Sequence, residues 1–148
     1  MKILSRLAAC LVAPALLLAG ATASAEDVRK LGYEGTKLYI ISPADGATVK
    51  SPFTVRFGLS GMGVAPAGVA KERTGHHHVL IDTDPNTLDL SQPLPAGEKV
   101  RHFGGGQTEA QLELPPGKHT LQLVLGDENH IPFNPPLMSE KISITVRK

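Results

Sequence analysis

Beyond its first 25 residues the chain sustains no apolar repeat of helical period, so its core must be built from short extended segments. Phe53-Thr54-Val55-Arg56-Phe57-Gly58-Leu59 puts Phe53, Val55, Phe57 and Leu59 on one face and Thr54 and Arg56 on the other. The same alternation predicts that Thr108, Ala110, Leu112 and Leu114 face inward. It also predicts Leu121, Leu123 and Leu125 on the core side of a strand from His119, and Ile142, Ile144 and Val146 on that of a closing strand. Lys37 to Ile41 and His76 to Asp82 are further strands. With 15 Gly and 12 Pro marking turns between them, these runs predict an all-β protein. The expected architecture is an immunoglobulin-like antiparallel β-sandwich of about seven strands, without the Cys and Trp marks of that fold. Val55, Phe57, Leu121, Leu123 and Leu125 should share its core. The long loop Ser60 to Gly75 leaves room for one turn of helix within Ala65 to Arg73, and Gly126 to Ser139 is a second long loop.

The start of the chain reads differently. Lys2 and Arg6 precede an apolar stretch from Leu7 to Gly20, and Ala23-Ser24-Ala25 fits a small-x-small cleavage pattern, which predicts a signal peptide over residues 1–25. The apolar run falls short of the roughly 18–20 residues of a spanning helix. Residues 26–148 are then one domain, periplasmic or secreted, with no membrane span after cleavage. The only cysteine, Cys10, lies in the predicted leader, with the apolar stretch on the wrong side of it for a lipid anchor. What remains offers His, carboxylate and Met as donors, and no thiolate or disulfide. A net charge of +1, from 15 Lys+Arg against 14 Asp+Glu, argues against nucleic acid as a partner. An aromatic content of 4% without Trp argues against a stacking platform for sugars.

Within this frame one stretch carries chemistry. In Gly75-His76-His77-His78-Val79-Leu80-Ile81-Asp82, alternation places His76, His78 and Leu80 on one face and His77, Val79 and Ile81 on the other. Two imidazoles on one face stand about 6.5–7 Å apart at Cα. Both can then reach one ion at a bond length of about 2.0–2.1 Å. In the immunoglobulin order the His76 strand is the third and the His119 strand the sixth, and they pair antiparallel, so the start of one lies beside the end of the other. That pairing brings Gly126-Asp127-Glu128-Asn129-His130, and the loop His102-Phe103-Gly104-Gly105-Gly106-Gln107, to the same end. The expected metal ligands are His76, His78, His102, Asp127 and His130, for a copper or zinc ion. His77 and His119 should lie elsewhere.

Each feature also has a plainer reading. The triple histidine reads equally as a buried hydrogen-bonded ladder, and His102 as a turn residue. Gly104-Gly105-Gly106 lacks the Lys and the strand–turn–helix context of a phosphate loop, and its glycines read instead as letting the backbone take positive φ and approach a neighbour closely. Met62 and Met138 are soft copper donors or gap fillers in the core. A copper site on a new N-terminal histidine is excluded by cleavage after Ala25, because residue 26 is Glu.

The stretches Gly75 to Asp82, His102-Phe103-Gly104-Gly105-Gly106-Gln107-Thr108-Glu109, and Leu121-Gln122-Leu123-Val124-Leu125-Gly126-Asp127 with His130 and Pro132 resemble the signature of an exported bacterial family. That family is known only as a domain of unknown function, number forty-three ninety-nine. The resemblance spans most of the chain after the leader and implies no established activity. Asn134 stands where relatives often carry another His. Two readings follow: a soluble periplasmic metal-binding protein, or a non-metal interaction module of the cell envelope whose histidines form a structural scaffold for a protein or polymer partner. Catalysis is the weakest reading, since no Ser or Cys nucleophile sits in a recognisable motif, although three His ligands around an open position would suit a metal enzyme.

Overall fold

The structure is a computed structural model that describes Asp27 and residues 29–148; the predicted signal peptide lies outside the described residues. No helix among the described residues is long and apolar enough to cross a membrane. Among the described residues nine strands run in the order β1 (Lys37–Ser42), β2 (Thr48–Lys50), β3 (Phe53–Ser60), β4 (Gly63–Val64), β5 (Thr74–Ile81), β6 (Val100–His102), β7 (Glu109–Leu112), β8 (Gly117–Gly126) and β9 (Ile142–Arg147). They form two sheets. The smaller has the order β1-β3-β7, and the larger the order β2-β9-β8-β5-β4, with β6 also paired to β5.

The protein is all-β as its alternation predicts, but the strand count and pairing differ from expectation. β2, β4 and β6 are two or three residues long, too short to show a period of two, and they bring the described strands to nine. Because β2 runs parallel to β9 and β4 parallel to β5, the larger sheet is mixed rather than purely antiparallel. Thr108 is exposed instead of inward. β7 begins one residue later, and Thr108 contributes only its carbonyl, which accepts the Phe57 N–H at 2.8 Å. No helix forms in Ala65 to Arg73, and the helical turn at Pro85–Thr87 is instead capped by Asp84, whose side chain accepts the Asn86 N–H.

The inner faces of both sheets share one core. Leu38, Phe53, Val55 and Phe57 from the smaller sheet meet Val79, Ile81, Leu121, Leu123, Leu125, Ile142, Ile144 and Val146 from the larger. Each such side chain contributes about 1.5–3 kcal/mol by leaving water. A second apolar cluster lies on the opposite face of the larger sheet, where Leu80 and Val124 are covered by Leu88, Leu90, Leu94, Val100 and Met138. β5 is therefore sealed on both sides, and Gly75 to Ile81 are all buried. Polar groups in such a strand need partners or a ligand.

Candidate metal centre

β5 and β8 pair antiparallel with His76 opposite Gly126 and His78 opposite Val124, so the start of β5 lies beside the end of β8 as expected. His76 and His78 leave β5 on the face turned away from the shared core. β6 runs along the other side of β5 with His102 directly opposite His78, and residues opposite one another in a ladder project to the same face. The fourth imidazole comes from the β8–β9 loop. Its residue, His130, has a left-handed φ of 69°, which a non-glycine residue holds only when its surroundings impose it. Here they do. Asp127 Oδ1 accepts the N–H of Asn129 and of Ile131, the Asp127 carbonyl accepts the His130 N–H, and the His130 carbonyl accepts the Leu94 N–H.

The loop after β4 ties the pieces together, because the Ala67 N–H donates to the Gly104 carbonyl and the Gly68 N–H to the Glu128 carbonyl. Glu128 in turn pairs with Lys30 at 2.5 Å. The rings of His76, His102 and His130 make a nearly equilateral triangle, with centroids 5.0, 5.0 and 4.6 Å apart. Three imidazoles bound to one ion at about 2.0–2.1 Å would have ring centres about 5 Å apart at tetrahedral angles. One nitrogen from each of these three residues lies within 4.8 Å of the others, and the group does not extend to His78. The His78 centroid is 4.8 Å from His76, 5.1 Å from His102 and 6.1 Å from His130.

Both ring nitrogens of His76 and of His78, and Nε2 of His102, are buried without a hydrogen-bond partner. Leaving such a group unsatisfied costs about 1–3 kcal/mol, so five of them in one place call for a ligand. The electrostatics keep their lone pairs free. Burial first, then the neighbouring imidazoles His102, His130 and His77, pushes the pKa of His76 down to about 4. Burial, then His76, His102 and His130, pushes His78 down to about 3, against a smaller upward pull from the His76 backbone. His102 is lowered by burial and by His130. Neutral imidazole is the form that binds a metal ion.

Two glycines are needed for this arrangement. A Cβ on Gly104 would run into the Cε1–Nε2 edge of His102, and one on Gly126 would lie 2.8 Å from His78 Cε1. Only a residue without a side chain lets these rings settle where they do. The Gly104-Gly105-Gly106 run thus serves close approach to an imidazole, and nothing in it forms a phosphate cradle.

The remaining residues singled out from the sequence are accounted for as follows. Asp127 is buried beside the cluster, with its Oδ1 engaged by two backbone amides of the His130 loop, and it is not in the three-residue group. His77 points into the shared core, 5.1 Å from the Phe57 ring, and its Nδ1 donates to the Gln107 carbonyl. His119 lies at the other end of β8, between Asp82 Oδ2 at 2.7 Å and the Pro115 carbonyl at 2.9 Å. Met62 and Met138 pack as apolar residues against the two clusters. The side-chain amide of Asn134 donates to Asp27 Oδ2 at 2.8 Å. The sequence reading missed the pairing of β6 with β5, and with it the reason that His102 faces His78. It read close approach for Gly104 without naming the His102 ring as the neighbour, and it missed the part played by Gly126, for which the nearby histidines were the only signal.

A family model described as "Domain of unknown function (DUF4399)" matches residues 55–147, which include all four clustered histidines. No curated protein matches the chain. Among solved structures, the X-ray structure of the endo-beta-1,4-mannanase from Thermotoga petrophila is similar over 83% of this chain and 21% of that one, at 17% identity and a TM-score of 0.45. The chain thus spans about a fifth of that protein's length.

Proposed function

Because the chain belongs to the DUF4399 family, whose description names no activity, we propose its function from its own histidines: a soluble periplasmic protein that binds a copper or zinc ion through His76, His102 and His130. The observation that carries this reading is the convergence of three ring nitrogens within 4.8 Å in a place where the buried imidazole nitrogens have no other partner. Imidazole suits both metals, and with no thiolate in the set the Irving–Williams order favours Cu(II) over Zn(II) in affinity. The periplasmic location rests on the signal-peptide pattern of residues 1–25. An immunoglobulin-like arrangement of the two sheets is part of the same proposal, supported by the β5–β8 pairing and the shared core.

A scaffold of hydrogen-bonded histidines for an envelope partner is the competing reading, and it requires those nitrogens to be paired. His119, with both ring nitrogens engaged, is what a paired histidine looks like in this protein, and the cluster does not resemble it. Calorimetric titration of untagged protein with Cu(II) and Zn(II) tests the proposal. We expect one tight equivalent in the wild type and in His119→Ala, and its loss in His76→Ala and His102→Ala. Equal weak binding by all four proteins would sink the metal site.

A further inference from the structure

Three imidazoles leave a tetrahedral ion with one open position and its full positive charge. No carboxylate joins the group among the described residues. The two nearest in sequence to His130 are engaged elsewhere: Asp127 Oδ1 by two backbone amides and Glu128 by Lys30. A divalent ion surrounded only by neutral donors, in a site half-closed to water, attracts a negative ligand strongly because little solvent screens it.

His78 is the second observation. Its side chain is 1% exposed, both of its nitrogens lack a partner, and its ring lies 4.8 and 5.1 Å from those of His76 and His102. It nonetheless stands outside the three-ligand group and 6.1 Å from His130, with its Cε1 edge laid against the backbone at Gly126. A neutral imidazole always carries one N–H donor. The backbone at His76 is the one competitor for that donor, and its pull is the smallest of those acting on His78, whose ring lies beside those of His76 and His102.

Building on the metal reading above, we infer that the fourth position of the ion is a binding site for a small anion, and that His78 donates a hydrogen bond to this anion and is not itself a metal ligand. Hydroxide, a halide or azide has the right size and charge. The half-buried His102 and His130 form the side from which it enters. The centre then binds metal and anion together as a ternary complex.

Azide titration of the Co(II)-loaded, untagged protein tests this, because cobalt reports its coordination through its visible absorption. The expected result is a saturable spectral shift at one azide per cobalt. In His78→Ala the protein should still hold one cobalt, with azide affinity weakened about ten- to a hundredfold, the worth of one hydrogen bond to a charged group. His78→Gln, which restores an N–H, should recover most of that affinity. A wild-type spectrum indifferent to azide, with cobalt bound at one equivalent, overturns the inference and leaves the metal reading intact. So does loss of stoichiometric cobalt from both folded His78 variants, which would make His78 the fourth ligand. Failure of the wild type to bind Co(II), Zn(II) or Cu(II) overturns the metal reading itself and the anion site with it.

Discussion

The two ends of the β5–β8 pair use the same side chain in opposite ways. At the start of β5, four imidazoles face one another without a carboxylate in their group, and five of their nitrogens are buried and unpartnered. At the far end, His119 stands between two oxygen acceptors, the Asp82 carboxylate and the Pro115 carbonyl. Only a doubly protonated ring satisfies both acceptors. Burial works against that cation, but the Asp82 and Pro115 contacts outweigh it and leave the His119 pKa raised, whereas His76 and His78 are pushed down to about 4 and about 3. What a histidine is good for is therefore set by what surrounds it. Acceptors make it a cation that stabilises the fold, and other imidazoles in a dry place make it a lone pair in search of an ion.

The largest expected effect comes from the frame that both ends share. Leu123 is fully buried midway along β8, opposite Val79. Leu123→Ala should cost about 2–5 kcal/mol in urea unfolding, as buried large-to-small changes do. A loss below about half a kcal/mol would place Leu123 outside the core and undo the face assignment on which the comparison depends.

The next effect separates the ends by the sign of their pH dependence. In the metal-free protein His76 and His78 have folded pKa values below the ordinary 6.5, so the unfolded chain takes up protons first as the pH falls. Stability is then full above about 6.5 and drains toward pH 4, at about 1.4 kcal/mol per pH unit for each histidine. Urea midpoints measured across this range should fall with acidity, and a flat profile would mean the cluster is not held neutral.

A smaller and more local change bears on the glycines. Gly104→Ala should displace the His102 ring and weaken metal binding about ten- to a hundredfold, the usual size of a lost orienting contact. Calorimetry on the folded variant measures it, and unchanged affinity would show that His102 does not need that close approach. The smallest effect is at the far end, where His119→Ala should cost about 0.2–1 kcal/mol, as for other partly exposed ion pairs. Because the folded pKa of His119 is raised, this contribution is complete below about 6.5 and disappears as the pH rises through the folded value. Its slope is opposite to that of the cluster. Metal affinity should not change, and a His119→Ala variant with weakened binding would join two regions that the structure keeps apart.

Much of the frame was legible because a strand with one wet face must alternate. Phe53 to Leu59, Leu121 to Leu125 and Ile142 to Val146 each wrote their inner face into the sequence, and His76 and His78 were assigned to one face by the same period of two. Topology then carried His102 and His130 to the right end of the sheet. Alternation failed where strands were too short to contain it, as in Gly63–Val64 and Val100–His102; in β5 it assigned the faces but could not show that both are covered.

The sequence by itself determined an all-β chain and the faces of its longer strands, because those follow from spacing along one segment. It also determined which donors a metal could find, since composition alone sets that list. Only the tertiary structure decided that His102 would lie opposite His78, that Asp127 would hold the turn behind His130, and that His78 would stand apart from the three converging nitrogens. Those are contacts between segments far apart in the chain. They depend on ring positions resolved to a fraction of the pleat spacing, which no one-dimensional pattern encodes.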